Sequence, residues 1–223
     1  MADLFATMFD TCQPWQALSG LQSRAPSQLA IRRLHQRHAG MARATGRRQA
    51  TDRLFFAVRP DEETAAQIVE RAQRWRAAHN LTGKPLEAGH VHVTLCHVGN
   101  AAGPPRPELI AALTERAAGV TMPAFRVEFD RVMSFRNGAF VLCGDDSAIG
   151  LEILQQRLSD VLDASPRPAR RFVPHVTLLR DGRHVAEQPI ERIGWTVREV
   201  VLVHSLLGQT IHRHVARVPL IQS

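Results

Sequence analysis

The 223-residue chain contains no tyrosine, a single lysine (Lys84) and three cysteines. Each shortage removes a class of protein. Cys12, Cys96 and Cys143 are odd in number, far apart and free of CxxC spacing. That argues against a disulfide framework and a cysteine-based zinc site, and suits reduced thiols in a cytoplasmic protein. No apolar run approaches the roughly 18–20 residues a membrane crossing needs, and the N-terminus lacks the continuous apolar segment of a signal peptide. Aromatic residues make up only 5% of the chain, so stacking on aromatic rings, the usual hold on single-stranded RNA, has few side chains to draw on.

Arginine is what the chain has in plenty. Its 28 basic residues outnumber 21 acidic ones for a net charge of +7, and all but Lys84 are arginine. Guanidinium forks bind phosphate in a bidentate manner and suit a nucleic-acid partner, although a GC-rich genome favours arginine without any functional reason. The charge is also uneven. Residues 1–50 carry seven arginines (Arg24, Arg32, Arg33, Arg37, Arg43, Arg47, Arg48) against Asp3 and Asp10. They read as a basic N-terminal extension, disordered or partly helical, ahead of one domain over residues 51–223.

Within that domain the pattern repeats. Leu54–Val58 is a short apolar run bounded by Arg59-Pro60, as expected of a buried strand. Asp61 is placed to cap a helix running to about His79, and His90 to Val98 alternates as a strand does. Pro107–Ala118 has helical spacing, and Ala124–Phe135 follows as a strand. Asn137-Gly138 then marks a hairpin turn into Ala139–Cys143. Ile149–Leu162 carries leucines at helical spacing, and Phe172–Leu179, Thr196–Leu206 and Ile211–Val218 read as strands. Each half runs strand, helix, strand. The expectation is an α+β fold of two lobes related by a pseudo-twofold axis, each an antiparallel sheet with outer helices, and an active-site cleft between them.

The repeat carries a motif. His92-Val93-Thr94-Leu95 and His175-Val176-Thr177-Leu178 occur at equivalent places in the two halves. Two such copies are a roughly one-in-a-thousand accident at this composition, as motif odds go. On a strand, His and Thr two apart share a face, while Val and Leu turn to the core. In-line cleavage of a phosphodiester needs a base on the attacking oxygen and an acid on the leaving one. Two imidazoles with ordinary values near 6.5 can hold those opposite protonation states near neutral pH. Neighbouring hydroxyls can bind the non-bridging oxygens, whose charge must be stabilised.

These paired strands, together with the Leu54–Val58 opening, Pro174 and Arg180 flanking the second motif and Val201–Leu206 near the end, resemble the two-histidine (2H) phosphoesterases. Among them the chain is most similar to the RNA 2′,3′-cyclic phosphodiesterases, also called 2′-5′ RNA ligase-like proteins. The resemblance implies metal- and cofactor-free hydrolysis of a terminal 2′,3′-cyclic phosphate to a 2′-phosphate, with reversible 2′-5′ RNA ligation as a second activity. It implies His92 as proton donor to the leaving 3′ oxygen and His175 as proton acceptor from water. Thr94, Thr177 and Arg180 would bind phosphate. The partner would be an RNA with a 2′,3′-cyclic phosphate end, or a cyclic nucleotide, and the protein a monomer. Where such relatives often carry a tyrosine near the C-terminal end, this chain reads His212-Arg213-His214.

Two other readings stay open on the residues. A metal-dependent phosphohydrolase would use His90 and His92, a His-x-His pair on one strand face, although no acidic ligands stand at suggestive spacing. A non-catalytic RNA-end-binding module would keep the fold alone. On the first-choice reading, His90, His97, His184 and His204 are strand-end surface residues. Phe135, Phe172 and Trp195 are candidates for base stacking, each weighed below a place in the core.

Overall fold

In the computed structural model, residues 49–144, 149–162 and 172–221 are described; Cys12 and the arginines of the basic extension lie outside them. The apolar run becomes β1 (Asp52–Val58), with Leu54, Phe56 and Val58 inaccessible to solvent. Asp61 caps α1 (Glu62–Ala78) as expected, its carboxylate accepting the Thr64 N–H at 2.8 Å. A single 3-10 turn (Ala88–His90) leads to β2 (Val93–Ala101). Proline opens α2 (Pro107–Ala118), where its missing N–H costs nothing. β3 (Phe125–Ser134) and β4 (Ala139–Cys143) form the expected hairpin, turning at Gly138 with φ of +78°. Then come α3 (Ile149–Val161) and β5 (His175–Arg180).

The C-terminal part differs from the sequence expectation. What reads as one strand over 196–206 is the end of β6 (Gln188–Val197) and the whole of β7 (Glu199–Leu206), broken at Arg198, before β8 (Ile211–Pro219). β6 pairs only with β3 and is an edge strand. An edge tolerates Pro189 and Gly194, residues whose presence argues against a central strand.

The eight strands form one antiparallel sheet in the order β6-β3-β4-β5-β2-β1-β7-β8. It divides into two four-stranded lobes, β2-β1-β7-β8 and β5-β4-β3-β6, that meet at a single residue pair, Val93 with Val176. So thin a seam would not hold alone. The helices cross it: α1, which follows β1, packs on β5 and β6, while α3, which follows β4, packs on β2 and β3. One contiguous core of buried residues from every strand and all three helices fills that face. The opposite, open face carries, among the described residues, two small clusters of buried apolar side chains, one per lobe: Phe55, Ala57, Val201 and Val203, and Ala139, Val141 and Cys143. Among the described residues no helix is long and apolar enough to cross a membrane.

Candidate active site

Both motifs lie on the seam. With Val93 opposite Val176 in antiparallel register, His92 stands opposite Thr177 and Thr94 opposite His175. Val93, Leu95, Val176 and Leu178 are buried in the helix-side core. The four polar side chains therefore share the open face, with the histidines on one diagonal and the threonines on the other. Diagonal neighbours of this kind are about 7–8 Å apart at Cα, which leaves room for a tetrahedral group between the two rings. His92 itself falls one residue before β2, while His175 is the first residue of β5.

The two imidazoles are held alike. His92 Nδ1 lies 2.6 Å from the His90 carbonyl oxygen, and His175 Nδ1 lies 2.7 Å from the Val173 carbonyl oxygen. A carbonyl only accepts, so Nδ1 carries the proton in both rings. That fixes the tautomer and leaves each Nε2 as the nitrogen that gains or loses a proton. Each ring also leans on a phenylalanine: Phe55 at 5.2 Å from His92 and Phe135 at 4.9 Å from His175, between ring centroids. Phe135 thus stands at the site. Trp195, stacked on Phe129 at 5.2 Å, and the half-buried Phe172 belong to the core.

The surroundings disfavour the protonated form of both rings. Burial pushes His92 down to about 4, with further depression by His175, Arg59 and His90, against the opposing hydrogen bond to the His90 carbonyl. His175 is lowered by burial and by Arg180, with the Val173 hydrogen bond opposing.

Arg180 reaches the open face through a β-bulge. β4 pairs Val141 with Thr177 but Phe140 with Leu179, so Leu178 is an extra residue. Leu178 and Leu179 both point into the core, and Arg180 returns to the side of His175 and Thr177. A regular strand would turn it away.

β2 has the same device. Thr94 pairs with Ala57 and Cys96 with Phe56, leaving Leu95 extra. Leu95 and Cys96 are both buried, and His97 emerges on the open face at the place that corresponds to Arg180. His97 is half-buried, with Nε2 3.0 Å from Asn100 Oδ1. It is not a strand-end surface residue: it stands two residues past the first motif, as Arg180 stands two past the second. His90 is also no mere surface residue, since its ring stands 4.7 Å from that of His212. His204 is buried, with Nε2 2.6 Å from Asp52 Oδ1. Only His184 is exposed as expected.

The metal reading finds no support in side-chain geometry: among the described residues no group of three or more His, Cys, Asp or Glu is arranged to hold an ion. Cys96 and Cys143 are both buried.

A seam of two lobes presenting two His-x-Thr strands to one face defines a two-histidine phosphoesterase. The family model of the 2′-5′ RNA ligase superfamily matches residues 60–209, and the chain belongs to that superfamily. It is 30% identical over 149 residues to the RNA 2′,3′-cyclic phosphodiesterase of Escherichia coli K12, covering 65% of this chain and 80% of that protein. The crystal structure of E. coli LigT complexed with 3′-AMP superposes with a TM-score of 0.63 at 28% identity, over 78% of this chain and all of LigT. LigT complexed with NADP+ gives 0.62 at 29% identity with the same coverage. A Thermus thermophilus protein shares the fold with a TM-score of 0.59 at 24% identity, over 75% of this chain and 97% of its own.

Proposed function

We propose that the protein opens the 2′,3′-cyclic phosphate at an RNA end to a 2′-phosphate, by acid–base catalysis between two histidines. The observation that carries this is the matched pair of Nδ1-anchored imidazoles on one diagonal of the seam. Each presents Nε2 to the same face, so one can take a proton while the other gives one. In this reading the phosphate sits between the rings. His175 Nε2 accepts a proton from the attacking water, and protonated His92 donates from Nε2 to the departing O3′. The P–O3′ bond breaks as the new P–O bond forms, and the two histidines end with their protonation states exchanged. Thr94 and Thr177 donate hydroxyl hydrogen bonds to the non-bridging oxygens, and Arg180 adds positive charge on the His175 side. With the 5′-hydroxyl of a second RNA entering in place of water, the same proton transfers would make a 2′-5′ linkage, the P–O3′ bond breaking as the P–O5′ bond forms, and the opposite transfers would break it. The names of the E. coli relatives, a cyclic phosphodiesterase and a LigT seen with 3′-AMP, support this substrate class.

The test is turnover of nucleoside 2′,3′-cyclic phosphates in EDTA, with the product resolved as 2′- or 3′-phosphate. The expected result is a 2′-phosphate, formed without added metal. His92→Ala and His175→Ala should each lose at least about 100-fold, the scale of one positioned acid or base. A 3′-phosphate product, activity that needs zinc or manganese, or variants that turn over like the wild type would reject the reading.

A further inference from the structure

Beside the catalytic pair, lobe one holds a second cluster of titratable groups that cleavage of a single phosphodiester leaves unused. His212 and His214 come from β8, His90 from the turn before β2 and Arg59 from just past β1. The His212 ring lies 4.7 Å from that of His90 and 5.4 Å from that of His92, edge-on to each. Arg59 Nη1 stands 3.4 Å from His214 Nδ1, and Arg59 Nη2 donates to the Gly89 carbonyl at 3.2 Å. Two buried polar atoms of the cluster, Arg59 Nε and His90 Nδ1, have no hydrogen-bond partner among the described residues. Lobe two has Phe135, not a basic group, in contact with His175.

These groups oppose one another's charge. His212 is pushed down to about 3 by burial and then by His92, His90, His214 and Arg59. His214 is lowered by burial, Arg59, Arg217 and His90, with Glu199 opposing. The carboxylates facing the cluster are Glu62 and Glu199, and Glu199 is paired with Arg217. Neither carboxylate hydrogen-bonds to His90, His212 or His214 among the described residues. A half-buried set of donors and latent cations that lacks an anion of its own is completed by one the ligand brings.

The position of the cluster says which anion. On the proposed function, O3′ leaves toward His92, so the ribose of the terminal nucleotide stands on the His92 side. The cluster adjoins His92 on that same side, within reach of O5′ and the phosphate attached there. We infer that Arg59, His90, His212 and His214 form a second phosphate subsite, which holds the 5′-phosphate group of the terminal nucleotide. The site thereby selects a nucleotide continued at its 5′ side over a lone nucleoside cyclic phosphate.

Equilibrium binding at pH 6 of adenosine 2′-monophosphate and adenosine 2′,5′-bisphosphate tests this without requiring turnover. The bisphosphate should bind at least about tenfold more tightly, a difference of about 1.4 kcal/mol. In the Arg59→Gln/His214→Gln double variant the advantage should fall below about threefold; His212 is left in place because it touches His92. Histidine proton resonances supply a readout on the unaltered protein. That of His214, which does not touch the catalytic pair, should titrate at higher pH with the bisphosphate bound and stay unmoved with the monophosphate, so the subsite can be judged even where the double variant does not fold. Equal affinities in the wild type, a preference that survives in a folded double variant, or a His214 resonance blind to the 5′-phosphate overturn the subsite. A protein that shows the preference yet opens no cyclic phosphate keeps the subsite and loses the proposed function.

Discussion

The symmetric pair is depressed at both members, and this has a direct kinetic consequence. A reaction that needs one histidine protonated and one neutral is fastest between the two apparent values of the pair. Both are moved below 6.5, His92 to about 4. The profile of kcat/KM, which reports the free enzyme, should therefore have its maximum on the acid side of pH 6.5. A phosphate anion between the rings favours their protonated forms, so the kcat profile should be displaced to higher pH than that of kcat/KM. A kcat/KM maximum above pH 7 would contradict the burial of these rings. At the same scale, Arg180 and His97 occupy corresponding places on the two bulged strands. Arg180→Ala should lower kcat/KM by roughly tenfold to 100-fold, the worth of one charge-assisted phosphate contact at about 1.5–3 kcal/mol. His97→Ala should cost less than Arg180→Ala in the same kcat/KM assay, because an imidazole cannot make the bidentate contact a guanidinium makes with phosphate; equal losses would contradict this. The motif histidines and threonines are legible in the sequence because their spacing alone fixes their face. His97 and Arg180 are harder, since an extra residue in each strand reverses the face that alternation assigns them.

Elements are legible where one local rule governs them. α1 begins at a capping aspartate, and the β3–β4 hairpin turns where Asn137-Gly138 says it should. β6 escapes a reading by pattern because an edge strand pairs on one side only and so accepts proline and polar residues. What anchors β1 is equally hidden. Asp52 and His204 lie 152 positions apart in sequence, yet their side chains meet at 2.6 Å and both are buried. Asp52 also accepts from the Thr51 hydroxyl at 2.6 Å and from the Gly103 N–H at 3.0 Å. Burial pushes its carboxyl up, and these hydrogen bonds with the His204 imidazole outweigh it, so the net shift is downward from 3.8. A carboxyl lowered in the fold stabilises above its unfolded value and loses that contribution as pH falls through the folded one. Asp52→Ala leaves His204 buried without its acceptor and should cost about 3–5 kcal/mol in urea denaturation at pH 7. The difference from wild type should shrink as the pH drops below 3.8. A variant with an unchanged urea midpoint would mean that the pair holds nothing.

At the scale of the whole molecule the question is whether two lobes joined by one residue pair behave as one body. The duplicated motif makes the pseudo-twofold readable, because equal spacing in two halves implies equal topology. It cannot show on which lobe each helix comes to rest, which depends on contacts between residues far apart in sequence. The structure shows that α1 and α3 each lie across the seam. Ser159 Oγ and the Gln155 carbonyl of α3 sit 3.4 and 3.7 Å from Cys96 Sγ on β2, and Arg71 of α1 pairs with Glu191 on β6 at 2.7 Å. Because the core is continuous beneath both lobes, removing volume at the crossing should weaken both. Leu158, fully buried on α3, tests this: Leu158→Ala should cost about 2–5 kcal/mol, as large-to-small changes in a packed core do. Native-state hydrogen exchange gives each lobe its own reading, with β1 reporting lobe one and β4 lobe two. The amides of both strands should open with one common free energy in the wild type and fall together in the variant. If β4 alone loosened while β1 kept its protection, the lobes would be separate folding units, and the geometry between His92 and His175 would rest on the Val93–Val176 pair alone. With a common opening, the helices that cross the seam are what hold the two imidazoles at a fixed separation.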